Sequence, residues 1–142
     1  MIYTNPDTAS IKQFLQKIKI IGVLGLSPKE NRPSYQVAKS LQDFSYTIIP
    51  IRPAVSEILG EAAYPDLGSL IKTANIKIDL LDVFRASQYV DDIVDQCIDL
   101  KVPALWLQDG VINHVAAQRA TEAGIFTVMN RCIYRDYKSL MG

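Results

Sequence analysis

The chain has little of what most metal and covalent chemistry requires. Its 142 residues include one histidine and two cysteines. Cys97 and Cys132 stand 35 positions apart with no CxxC spacing. The expectation is two reduced thiols and no metal site, since two cysteines and one histidine do not make a structural zinc set. Net charge is missing as well: fifteen basic side chains balance fifteen acidic ones. No overall field draws the chain to nucleic acid or to an anionic membrane, so any anion must be held by local geometry. No apolar run is long enough to span a bilayer, and the opening MIYTNPDTAS lacks a signal-peptide pattern. Together these absences predict a cytoplasmic protein. Its length fits a single domain over residues 1–142, with a core at about 17–132 and no repeats or linkers.

What is present is organised around Lys17–Leu41, KIKIIGVLGLSPKENRPSYQVAKSL. Ile18, Ile20, Ile21, Val23 and Leu24 form a nearly continuous apolar run, as expected of a central parallel strand covered on both faces. Gly25 ends the run, and Ser27-Pro28 bends the chain away. Pro33 suits the first turn of a helix, where its missing N–H costs nothing, with Asn31 or Ser34 placed to supply a capping oxygen. Val37, Ala38 and Leu41 then recur at helical spacing. A strand that delivers its turn to the start of a helix makes an anion site, because free backbone N–H groups and the helix dipole converge there. This stretch reads as a phosphate cradle.

The rest of the chain alternates around it. A first helix over about Thr8–Lys17 starts at Asp7 or Thr8, with Ile11, Phe14, Leu15 and Ile18 on one face, and is expected to pack across the sheet edge. Tyr46–Ile51 is a second strand in which Pro50 removes a ladder bond near the end. Ala54–Leu67 reads as a long loop, and Asp66 precedes a short helix containing Leu67, Leu70 and Ile71. Ile78–Phe84 is a third strand. The helix after it, starting at Ser87 or Gln88, turns Val90, Ile93, Val94, Cys97 and Ile98 inward. Asp91, Asp92, Asp95 and Asp99 read as its solvated face. Pro103–Leu107 is a fourth strand, followed by a helix capped by Asn113 and closed by Gly124. Ile125–Met129 is a fifth strand, and Asn130–Gly142 reads as irregular or a last helical turn.

This alternation predicts an α/β fold: a Rossmann-like doubly wound sheet of about five parallel strands, with helices on both faces. The expected order, counting strands along the chain, is 3-2-1-4-5, with a ligand crevice at the carboxyl ends of the strands. Gly25–Ser27, Arg52, Phe84-Arg85, Gln108–Gly110 and Asn130 fall there. The GxGxxG dinucleotide fingerprint is not met, because Gly22 lies inside the strand and no third glycine follows. An NAD site places Asp or Glu at the end of the second strand to take the ribose hydroxyls. This chain has Arg52, which invites a ribose phosphate. The residues therefore favour a phosphorylated adenosine and leave NADP and coenzyme A both open.

The run GLSPKENRPSYQVAKSL, followed by IIPIRP, EILGEAAYPDL, DLLDVFR, ALWLQDGV and VMNRC, closely resembles the small stand-alone coenzyme A-binding proteins. These are similar in turn to the coenzyme A-binding domain of the succinyl-CoA synthetase α subunit. The resemblance spans about Lys17 to Cys132 and implies coenzyme A or an acyl-CoA as cofactor. Beside the Gly25 turn, it implies Ser27, Arg32, Pro33 and Ser34 at the pyrophosphate. It implies Arg52-Pro53 at the adenosine end, Val83-Phe84-Arg85 along the adenine side and Gln108-Asp109-Gly110 toward the pantetheine arm. The chain departs from the family's pattern in two places. The family usually carries Asn before the proline at position 53, where this chain has Arg52, and Asp before Arg131-Cys132, where it has Asn130.

No catalytic constellation emerges. The ligase to which the family is similar uses a phosphorylated histidine on a further domain, whereas His114 stands alone near the start of the fourth helix. Cys132 has Arg131 and Arg135 nearby to favour a thiolate, though packing is its simpler role. Ser27 has no Ser/His/Asp partners, and the tyrosines show no stacking pattern. The reading is a nucleotide-cofactor-binding module without catalytic apparatus of its own. The alternatives are a subunit or partner of an acyl-CoA synthetase split over several chains and, less favoured, an NADP-dependent oxidoreductase. Exposed Tyr and Ile on the N-terminal helix leave room for a homodimer.

Overall fold

The apolar periodicities resolve into three layers in a computed structural model that describes residues 2–141. The elements in chain order are α1 (Thr8–Lys17), β1 (Ile20–Leu24), α2 (Pro33–Asp43), β2 (Thr47–Ile51), β3 (Glu57–Ile58), β4 (Glu61–Ala62), β5 (Leu80–Val83), α3 (Val90–Asp99), β6 (Ala104–Leu107), α4 (His114–Glu122), β7 (Phe126–Met129) and α5 (Ile133–Met141). Five strands form one parallel sheet, β2-β1-β5-β6-β7. Successive strand residues point to opposite faces. Ile21, Val23, Ile48, Leu80 and Trp106 therefore meet α1, α2 and α5, while Ile49, Leu81, Val83, Leu105 and Leu107 meet α3 and α4. Among the described residues no helix is long and apolar enough to cross a membrane.

Counted along the chain, the five strands run 2-1-3-4-5, not 3-2-1-4-5. Pro50 is the reason. Its carbonyl accepts from Tyr64 N at 3.0 Å, and Arg52 N donates to Tyr64 O at 2.7 Å, so a short segment occupies the outer side of β2. The amide and carbonyl of one strand residue point the same way. The N–H that Pro50 lacks is therefore also on that outer side, which suits an edge and not an interior strand. The chain returns over the sheet and inserts β5 on the other side of β1, in register from Ile21–Leu80 to Leu24–Val83.

Other segments refine the sequence reading. Asp7 caps α1, its carboxylate accepting from Ser10 N at 2.7 Å. The helix lies on a face of the sheet with α2 and α5, not across its edge. The residues before it cover the edge instead: Asn5 accepts from Met129 N at 2.8 Å and donates to Met129 O at 3.0 Å, while the Tyr3 hydroxyl donates to Thr127 O. Within the expected loop after β2, β3 and β4 form a hairpin through Leu59 and Gly60, both at positive φ as a type I′ turn requires. The short helix after it is a single π-helical turn, Ser69–Thr73, with Asp66 accepting from Ser69 N at 2.7 Å. Ile98 is 40% exposed and not inward.

The C-terminal stretch is a full helix, α5. Tyr134 and Tyr137, one helical turn apart, stack on Phe44 with centroids at 5.9 and 3.9 Å, so tyrosine stacking does occur. Both cysteines are free, Cys97 buried and Cys132 half-buried.

Candidate functional site

Since β1 lies between β2 and β5, a crevice opens where their carboxyl ends meet. Gly25 closes β1 with φ +86°, and its N–H donates to Ile51 O at 3.0 Å. A Cβ on Gly25 would lie 2.6 Å from the Phe84 carbonyl oxygen. Only glycine lets the ends of β1 and β5 approach this closely.

The turn that follows is wired to the start of α2. Ser34 Oγ accepts from Ser27 N at 2.9 Å, and Ser27 Oγ accepts from Lys29 N at 3.1 Å. Ser34 therefore holds the turn and does not cap the helix. Arg32 occupies the N-cap position without a side-chain cap, and Pro33 follows in the first turn. Helix geometry leaves the first-turn amides, those of Ser34 and Tyr35, without intrahelical partners at the positive end of the dipole.

Around this helix start lies a chamber of about 460 Å³. Lys29, Arg32 and Arg52 line it, and among the described residues no carboxylate does. That combination suits a phosphorylated group.

A second chamber of about 370 Å³ shares Gly25 and Arg52 with the first. Its walls include Leu24, Ile51, Leu67 and Ile93, with Asp66, Arg85, Asp92 and Gln96 as polar members. The Arg85 guanidinium carbon stands 4.4 Å from the Tyr89 ring centroid, a cation–π contact. Arg52 Nη1 is 3.5 Å from Leu26 O, at the weak limit of a hydrogen bond. Arg52 makes no ion pair among the described residues, so its charge is available to a ligand at the junction of the chambers.

Seven expected residues gather at the first chamber: Gly25, Ser27, Arg32, Pro33, Ser34, Arg52 and Phe84. Pro53 and Arg85 join Gly25 and Arg52 at the second. Val83, Gln108 and Gly110 line neither. Val83 is fully buried in the α3/α4 layer, because β5 is covered on both faces. Gln108 is also buried, and its Oε1 accepts from Ile133 N at 3.2 Å, tying down the start of α5. Gly110 is exposed, its N–H donating to Asn130 Oδ1 at 2.8 Å. Asn130 sits at φ +58°, a conformation that asparagine tolerates better than most residues.

Arg131 is paired with Asp136 at 2.6 Å and Arg135 with Asp109 at 2.8 Å, so neither charge is reserved for Cys132. His114 is exposed as the first residue of α4. Sequence reasoning missed Lys29 in the first chamber and Asp92 and Gln96 in the second. For the latter pair the legible signal is i,i+4 spacing, which puts both on one stripe of α3.

A family model described as a CoA binding domain matches residues 19–138. The uncharacterized protein YneT of Bacillus subtilis is 37% identical over 129 residues, covering 91% of this chain and 93% of that protein. The solved structure of a hypothetical protein from Pyrococcus horikoshii has a TM-score of 0.88 and 31% identity, with 100% of both chains covered. ADP-forming acetate–CoA ligase I of Archaeoglobus fulgidus is 32% identical over 79 residues, which is 56% of this chain and 11% of the ligase.

Proposed function

This chain belongs to the CoA-binding domain family, and from that premise we propose that it binds coenzyme A or an acyl-CoA across the two chambers. The observation that carries the reading is the first chamber: an uncapped helix start and three cationic side chains, with no carboxylate among the described lining residues. The diphosphate fits there, held by the Ser27 turn and the α2 amides. Arg52, at the junction, is the partner for the ribose 3′-phosphate, and the base takes the second chamber. Gly110 is left to meet the pantetheine arm, since Gln108 is committed to α5.

The described lining of the first chamber includes no histidine, cysteine or carboxylate for acid–base or nucleophilic work. In this reading the site holds its ligand without chemistry of its own. A second reading has one observation in its favour: the match to 11% of an acetate–CoA ligase. In that reading the chain supplies the coenzyme A site to a synthetase whose other parts are separate chains.

Calorimetric titration with coenzyme A, acetyl-CoA, NADP and NAD, side by side, tests both. Binding of the coenzyme A compounds without NAD is the expected result. Selective binding of NADP would overturn it. Silence from all four would favour a site completed only by a partner chain.

A further inference from the structure

The two chambers differ in chemistry. The first offers positive charge; the second places Asp92 and Gln96 on successive turns of α3, beside apolar walls from Leu67 and Ile93. Gln96 Nε2 donates to Asp92 Oδ2 at 2.7 Å. A carboxylate can only accept, so this bond fixes the sense of the amide: its nitrogen faces Asp92 and its oxygen is the end left to accept. Asp92 Oδ1 and Gln96 Oε1 are then two acceptors on one stripe of the chamber wall. Arg85 lies over the Tyr89 ring and gives the same chamber a flat wall on which a planar ring can stack. A flat wall edged with acceptors suits a heterocycle that presents an amino group. It opposes one that presents a carbonyl, whose oxygen would face the exposed Asp92 carboxylate and be repelled by it.

We infer that Asp92 and Gln96 read the exocyclic amino group of the ligand's base, making the site selective for an aminopurine nucleotide over its oxo counterpart. This rests on the reading that a nucleotide occupies the chambers. It adds a source of specificity that lies on α3, apart from the phosphate-binding turn.

The test is calorimetric titration of the intact chain with adenosine 3′,5′-bisphosphate and inosine 3′,5′-bisphosphate, which differ at that amino group. The comparison includes Asp92→Asn, Gln96→Leu and the double variant, with inorganic pyrophosphate as a probe of the first chamber. The wild-type protein should prefer the adenosine compound by about two- to tenfold. The double variant should lose the preference and keep its pyrophosphate affinity. Equal wild-type affinities for the two bisphosphates, or a preference that survives the double substitution, would overturn the inference alone. A wild-type protein that binds neither would overturn the parent reading and the inference with it.

Discussion

Asp82 offers a prediction that turns on one proton. It lies on β5 between Val23 and Trp106 in register, fully buried, and neither carboxyl oxygen has a hydrogen-bond partner among the described residues. Burial pushes its pKa well above the ordinary 3.8, because the site disfavours the charged form. The folded pKa is the higher one. Asp82 therefore contributes most favourably below the unfolded value, and stability is lost as the pH rises from there toward the folded value. The loss runs at up to about 1.4 kcal/mol per pH unit for one proton.

Even neutral, an orphaned buried polar group costs about 1–3 kcal/mol. Asp82→Asn cannot ionise and should remove the pH-dependent part alone. Asp82→Val should remove both parts: loss of the orphaned group alone should raise Tm by about 4–12 °C, given roughly 4 °C per kcal/mol for a domain of this size, and the pH-dependent part should widen that gain as the pH rises. Thermal melts of the three proteins from mildly acidic to alkaline pH measure this directly. Parallel pH profiles for wild type and Asp82→Asn, or a valine variant less stable at every pH, would refute the argument.

Two further expectations concern the crevice. Arg52→Ala should weaken coenzyme A by about ten- to a hundredfold, the worth of a charge-assisted bond of roughly 1.5–3 kcal/mol, and should affect dephospho-coenzyme A far less. Equal losses for both would remove Arg52 from the 3′-phosphate. Gly25→Ala forces a Cβ to within 2.6 Å of the Phe84 carbonyl at a left-handed φ. It should lower Tm and abolish coenzyme A binding together. An unchanged melt with intact binding would show that the ends of β1 and β5 can part at little cost.

Much of the fold is legible because local signals and burial agree. In α1 the Asp7 cap and the inward Ile11, Phe14 and Leu15 specify a helix, and its bounds match the reading. Strand order is harder. Pro50 announces a missing ladder bond, but only the position of Tyr64 shows that the gap faces outward. The helical spacing of Ile133, Tyr137, Leu140 and Met141 does announce α5, whereas its stack on Phe44, far away in sequence, is not legible. At the candidate site, the turn before α2 could be read from Gly25, Ser27 and Pro33, whose roles are set by neighbours. The buried setting of Val83 could not, since strands covered on both faces lose the alternation that reveals direction. Asp92 was hidden among exposed aspartates, and only the geometry of α3 against the crevice separates it from them.

The sheet's hydrogen-bonding valence is engaged at both ends of its strand order. Tyr64 and the proline of β2 occupy one margin, and the side chain of Asn5 imitates a neighbouring strand beside Met129 on the other. A foreign extended peptide, or the strand of a second copy, would have to displace one of these before it could add on. Strand addition is thereby opposed at either margin of the sheet, while the crevice at the carboxyl ends of its strands stays open.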